Sequence, residues 1–219
     1  MDRNYIAELL APFVGTSEGG AILSDRLLED ISIYIDILLR WNARISLTAI
    51  RDPEQIIVRH FGEAFFAARR LFPNSARKNR CGSTLADVGS GAGFPGIPIK
   101  LLVPEVSLTL IESNQKKAVF LREVSRALEL SDVKIENVRA EVLSGAFEVI
   151  TLRAVERFTE VLPVATRLVA PGGRLALLVG KSQLESIPRT SSEITWSPEV
   201  PVPLSTSRVF LIGARNQKD

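Results

Sequence analysis

The chain has 219 residues, 46% hydrophobic and 24% charged, with a formal net charge of +2 at neutral pH. That is enough apolar chain for a sizeable core, and it allows one or two domains. One cysteine and one histidine exclude a disulfide framework, a multi-cysteine zinc site and any metal centre needing two imidazoles, and no apolar run reaches the roughly 20 residues of a membrane span.

In chain order, the first 80 residues read as helical. Ser24 is placed to cap a helix whose apolar positions Leu27, Ile31, Tyr34, Ile35 and Leu38 recur at helical spacing. Trp41 to Thr48 breaks that pattern and reads as a loop. Asp52-Pro53-Glu54-Gln55 is a helix start, with Asp52 at the N-cap and Pro53 in the first turn. That helix is predicted to run to about Leu71, followed by a linker through Arg80.

From Thr84 onward strands and helices alternate. Strands are predicted at 84–88, 106–111, 133–138, 147–152, 174–179, 194–196 and 209–212, with helices at 95–102, 114–130 and 159–169. Pro171-Gly172-Gly173 is expected to close the last helix, and the proline-rich 198–203 stretch to be loop. The expectation is an α/β fold: an open, doubly wound, seven-stranded, mostly parallel sheet with helices on both faces, preceded by an N-terminal helical region. Residues 1–80 would form that region and 81–219 the domain that binds the cofactor.

The decisive motif lies at the first strand: Leu85-Ala86-Asp87-Val88-Gly89-Ser90-Gly91-Ala92-Gly93-Phe94-Pro95-Gly96. Glycines between a strand and a helix let the backbone approach a ligand, and the following helix points N–H groups at it. The second strand ends at Glu112, where a carboxylate can accept hydrogen bonds from both hydroxyls of a ribose. The pattern fits the dinucleotide fingerprint and equally the loop that binds S-adenosylmethionine. Asp87 favours the second, because a carboxylate before the glycines repels a pyrophosphate and suits a cationic sulfonium with an amino group. The competing readings are an NAD(P)-dependent oxidoreductase and a noncatalytic RNA-binding protein. A single histidine favours chemistry carried by the cofactor.

The run Asp87 to Pro98 resembles the signature of the RsmG family, also called glucose-inhibited division protein B. Further matches are Asn42 with Leu47-Thr48-Ala49-Ile50, His60-Phe61, Glu112-Ser113-Asn114-x-Lys116-Lys117, Ala140-Glu141, Arg153-Ala154 and Gly180-Lys181. The resemblance implies a Rossmann-like class I methyltransferase that uses S-adenosylmethionine to methylate N7 of a guanine in 16S ribosomal RNA, free or within the small ribosomal subunit. It implies that Gly89 and Phe94 line the cofactor, that Glu112, Ser113 and Asn114 meet its ribose and adenosine, that Ala140 and Glu141 contact the adenine, and that Arg153 stands at the cofactor–RNA edge. The sequence departs from the family pattern at His60-Phe61-Gly62-Glu63-Ala64, where the family commonly has His-Phe-x-Asp-Ser.

Guanine N7 carries a lone pair and no proton, so its methylation needs no general base. An acid near the purine would stabilise the developing cation; Asp87 and Glu63 are the candidates, with His60 a third candidate catalytic residue and no metal expected. Residues 1–39 carry a balance of −5 and residues 40–83 one of +6. RNA contact is therefore expected on the 40–80 segment, through Arg44 and Arg51, with Arg153 and Lys181 at the rim. Trp41 is a candidate for stacking on a flipped base. A monomer is expected, and Met1-Asp2-Arg3-Asn4 lacks a signal-peptide layout, so the expected location is cytoplasmic.

Overall fold

The computed structural model describes residues 1–15, 23–73, 83–154, 157–187 and 193–217. The expected linker at 74–80 and Cys81 lie outside the described residues. The chain opens with helices α1 (Arg3–Val14) and α2 (Asp25–Asn42). Ser24 caps α2, its hydroxyl accepting from the Leu27 N–H at 3.2 Å. The next helix also begins as the sequence dictates: the Asp52 carboxylate accepts from the Gln55 N–H at 2.9 Å, and Pro53 follows. It is one rod in three parts: α3 (Pro53–Ile56), a wider π-helical turn (Ile57–Gly62) and α4 (Glu63–Leu71). Sequence periodicity predicts a plain α-helix there and misses the π turn. Gly62 sits where a Cβ would approach the Phe13 ring to 2.6 Å, so no larger residue fits without displacing that ring.

The α/β part follows as β1 (Thr84–Val88), α5 (Gly96–Leu102), β2 (Ser107–Ile111), α6 (Gln115–Ala127), β3 (Val133–Glu136), β4 (Phe147–Arg153), α7 (Phe158–Leu168), β5 (Val169–Gly180), β6 (Ile194–Trp196), β7 (Val200–Pro201) and β8 (Arg208–Arg215). The sheet order is β3-β2-β1-β4-β5-β8-β6, with β7 beside β8. The first five strands run parallel, and β8 is antiparallel to β5. The expected doubly wound sheet is present with one strand more than the sequence predicts. The extra strand, β7, lies within the proline-rich stretch read as loop, on the edge of β8, where a proline costs no interior ladder bond.

Pro171-Gly172-Gly173 falls inside the β5 span rather than ending α7. Phe147 pairs with Val169 while Val149 pairs with Arg174, so this turn interrupts the ladder as a bulge.

Side chains alternate across β1. Leu85 joins a core with the opening helices, α5 and α6, while Ala86 and Val88 join a second core against α7. The opening helices thus share one apolar interior with the α/β sheet. Among the described residues, no helix is long and apolar enough to cross a membrane.

Candidate active site

The glycine turn leaves the carboxyl end of β1, where ligands bind in open parallel sheets. Gly89 and Ser90 donate their N–H groups to the Ile111 carbonyl at 2.9 and 3.1 Å, fastening the turn to the end of β2. Gly91 has a φ of +54°, which L side chains rarely adopt. A Cβ there would meet nothing nearer than the Gly89 carbonyl oxygen at 3.8 Å, so this backbone borders open space. From above, Tyr34 of α2 donates its hydroxyl to the Ala92 carbonyl.

That space is a cavity of about 780 Å³, within the range of small-molecule sites. On the β2–β3 side its wall includes Glu112, Ser113, Asn114, Ala140 and Glu141. The Glu112 carboxylate accepts from the Gly91 N–H at 2.9 Å and from the Asn114 N–H at 2.7 Å. Asn114 caps α6 by accepting from Lys116 and Lys117. Asn137 braces this corner, donating to the Glu112 and Ser113 carbonyls.

The β4 side of the wall is built by Arg153 at the end of β4 and by residues of the opening segment, Thr48 and His60 among them. Arg153 Nε donates to the Glu63 carboxylate at 3.2 Å, and its Nη2 donates to the Arg59 carbonyl at 2.7 Å and to His60 Nδ1 at 2.8 Å. A guanidinium only donates, so His60 Nδ1 is the unprotonated nitrogen and the ring proton sits on Nε2. His60 Nε2 therefore donates to Thr48 Oγ1 at 2.9 Å. Burial and then the Arg153 charge push the imidazole pKa down to about 3, so the ring is neutral at physiological pH. Glu63 is buried and also pairs with Arg208 at 3.4 Å.

Asp87 lies beneath the glycine turn. One carboxylate oxygen accepts from the Thr151 hydroxyl at 2.8 Å and the other from the Gly96 N–H at 3.3 Å. Burial pushes its pKa up to about 6, opposed by those two hydrogen bonds and by Arg153. The alternation along β1 turns this side chain toward α5.

Of the residues singled out from the sequence, Gly89, Phe94, Glu112, Ser113, Asn114, Ala140, Glu141, Arg153 and His60 share the cavity wall. Asp87 and Glu63 do not border it; each is consumed by protein partners behind it. Arg44, Arg51 and Lys181 are exposed and lie off the wall. Trp41 packs edge-on against Phe120 and donates to Glu123 at 2.9 Å, away from the cavity. Sequence reasoning gives no individual role to Thr48, Arg59, Lys117, Arg139 or Arg208, all of which are on the wall. For Thr48 the only signal is the Leu47-Thr48-Ala49-Ile50 match.

The model of the family described as rRNA small subunit methyltransferase G matches residues 27–208. The chain belongs to this family. Ribosomal RNA small subunit methyltransferase G of Halorhodospira halophila is 38% identical over 192 residues, covering 86% of this chain and 88% of the relative. The protein of the same name from Xylella fastidiosa (strain M23) is 40% identical over 189 residues, covering 85% and 74%.

Among solved structures, magnesium protoporphyrin IX methyltransferase from Synechocystis PCC 6803 with bound SAM superposes with a TM-score of 0.63 at 14% identity, covering 90% of this chain and 99% of that one. A ribosomal protein L11 methylase from Lactobacillus delbrueckii subsp. bulgaricus gives 0.57 at 14% identity, covering 73% and 80%. These two likenesses bear out the class I methyltransferase fold. Membership in the methyltransferase G family makes the chain an S-adenosylmethionine-dependent methyltransferase of ribosomal RNA. The residues present fit that donor: open backbone at Gly91, a fixed carboxylate at Glu112 and a cavity long enough to run from β3 to β4.

Proposed function

We propose that this enzyme methylates N7 of a guanine in 16S ribosomal RNA, acting in the cytoplasm as a monomer on RNA of the small subunit or its assembly intermediates. One observation carries the choice of atom: among the described residues, no free base faces the cavity from its β4 side. His60 is neutral, with Nδ1 accepting from Arg153 and Nε2 donating to Thr48. Glu63 is engaged by two arginines. An exocyclic amine or a hydroxyl must lose a proton on methylation, whereas N7 attacks through an in-plane lone pair and has none to lose.

S-adenosylmethionine, when bound, supplies an electrophilic methyl carbon on a sulfonium sulfur. Glu112, Asn114, Ala140 and Glu141 hold the adenosine portion over β2 and β3, and the Gly89–Gly91 backbone lies under the middle of the cleft. Arg153 and His60 wall the place where the base enters. Their task is positioning: effective catalysis here comes from holding the reacting atoms in line with water excluded. Glu63 acts behind them by fixing Arg153, and Asp87 acts by holding the turn onto α5 through Gly96.

Arg59, Lys117 and Arg139 stand at the cavity, and Arg44, Arg51 and Lys181 extend the positive surface beyond it for RNA phosphates. The test is methyl transfer by the purified protein to small subunits and to deproteinised small-subunit RNA, with the product nucleoside identified by mass mapping. One 7-methylguanosine in 16S RNA is the expected result. A methyl group on an exocyclic amine, a ring carbon or a ribose overturns the reading.

A further inference from the structure

We propose that the Thr48 hydroxyl is a specificity determinant that donates a hydrogen bond to O6 of the target guanine; this rests on the N7 reading above. A threonine hydroxyl has two acceptor lone pairs and one proton. Both acceptor positions are occupied: the Ile50 N–H donates to Thr48 Oγ1 at 3.1 Å, and His60 Nε2 donates to it at 2.9 Å. The direction of the second bond is not free, because Arg153 holds His60 Nδ1 as an acceptor at 2.8 Å. The Thr48 proton is therefore the one member of this chain of hydrogen bonds without an acceptor among the described residues, and Thr48 borders the cavity.

The hydroxyl is also immobile. Asn42 fastens its backbone on both sides, donating to the Thr48 carbonyl at 2.9 Å and accepting from the Leu47 and Thr48 N–H groups at 2.9 and 3.0 Å. The site thus presents a fixed donor on the β4 side, with no means of turning into an acceptor. On the Hoogsteen edge, guanine places the O6 acceptor beside N7, whereas adenine places an amino donor there. A fixed donor accepts the first and leaves a donor facing a donor with the second. This selects guanine at the same edge that is methylated.

The experiment is a two-by-two comparison of single-turnover methyl transfer at saturating S-adenosylmethionine. Wild type and Thr48→Val are each given substrate RNA carrying guanosine or 2-aminopurine riboside, which keeps N7 and lacks O6, at the methylated position. Thr48→Val is expected to lose about tenfold on guanosine, the worth of one hydrogen bond to a fixed partner. On the analogue it should lose less than on guanosine, since only the bonds that Oγ1 accepts from Ile50 and His60 are then lost. Thr48→Ser, which keeps the proton, should remain within about threefold of wild type on guanosine.

Full activity of Thr48→Val on guanosine, or an equal loss on both substrates, overturns the proposal. If Thr48→Val fails to fold, wild type decides alone: rates on guanosine and on the analogue within about twofold of each other overturn it, and a loss of about tenfold on the analogue supports it. Failure of the N7 reading is distinguishable, because it shows as a wild-type product that is not 7-methylguanosine.

Discussion

The ring of Tyr34 stacks on that of Phe94 with their planes 3° apart and centroids 5.1 Å apart. One residue belongs to α2 and the other to the turn that opens α5, so a helix of the opening segment roofs the glycine turn. Tyr34→Phe keeps the stack and removes the hydroxyl that the Ala92 carbonyl accepts from. It should cost about 1–2 kcal/mol of stability and weaken S-adenosylmethionine binding a few-fold, read by thermal denaturation and calorimetric titration. Tyr34→Ala should cost about 3–5 kcal/mol by opening a cavity.

Removing the Glu63 charge should harm the site without touching the donor end. Arg153 and Arg208 both pair with this buried carboxylate. Glu63→Gln strands two guanidiniums in a poorly solvated place, at a cost of about 3–5 kcal/mol. The methyl-transfer rate should fall at least about tenfold while S-adenosylmethionine affinity changes little. The measurement is a denaturant titration beside single-turnover kinetics.

Glu112 should behave in the opposite way. Its carboxylate fixes the Gly91 and Asn114 N–H groups on the cavity wall. Glu112→Ala should weaken S-adenosylmethionine binding by at least about tenfold, seen by calorimetry, with RNA affinity unchanged.

Acid should reveal the buried groups His60 and Asp87 with opposite signs. His60 has its pKa lowered to about 3 from 6.5 by burial and by Arg153. Its contribution is complete above pH 6.5 and is lost as pH falls toward 3. Asp87 has its pKa raised to about 6 from 3.8 by burial, so its protonation favours the folded state as pH falls through that window. His60→Gln should therefore flatten the acid-side loss of stability, and Asp87→Asn should steepen it. Denaturant midpoints measured from about pH 4 to pH 7 in wild type and both variants check the two slopes.

Charge reversal at Arg44 and Arg51 should weaken RNA binding. It should also reduce the slope of log affinity against log salt by about 0.7–0.9 for each phosphate that is no longer neutralised. S-adenosylmethionine binding should be unaffected. An unchanged RNA affinity with an unchanged slope would leave the phosphate track to Arg59, Lys117, Arg139 and Lys181.

The glycine turn, its flanking strand and helix, and Glu112 were all legible in the sequence because each depends on neighbours in the chain. Ser24, Asp52 and Asn114 cap their helices through bonds to residues two or three positions on, and such signals survive in a linear reading. The Arg153–Glu63–Arg208 cluster was not legible. Its members lie 90 and 145 positions from Glu63 and meet only because β4 ends and β8 begins beside the first turn of α4. Asp87 was legible as a residue but not as a direction: its placement under the turn depends on which face of β1 meets α5. Thr48 gives no local signal of chemistry, since its proton is freed only by the His60 tautomer that Arg153 imposes.

The widened turn at Ile57–Gly62 carries a consequence for how this lineage can vary in length. A π turn is an α-helix with one residue too many. Deleting Val58 would regularise the rod and turn His60 part-way about its axis, away from its partners Arg153 and Thr48. Descendants that drop a codon here should therefore have replaced the imidazole as well, and an engineered single-codon deletion should fold while losing its preference for guanine.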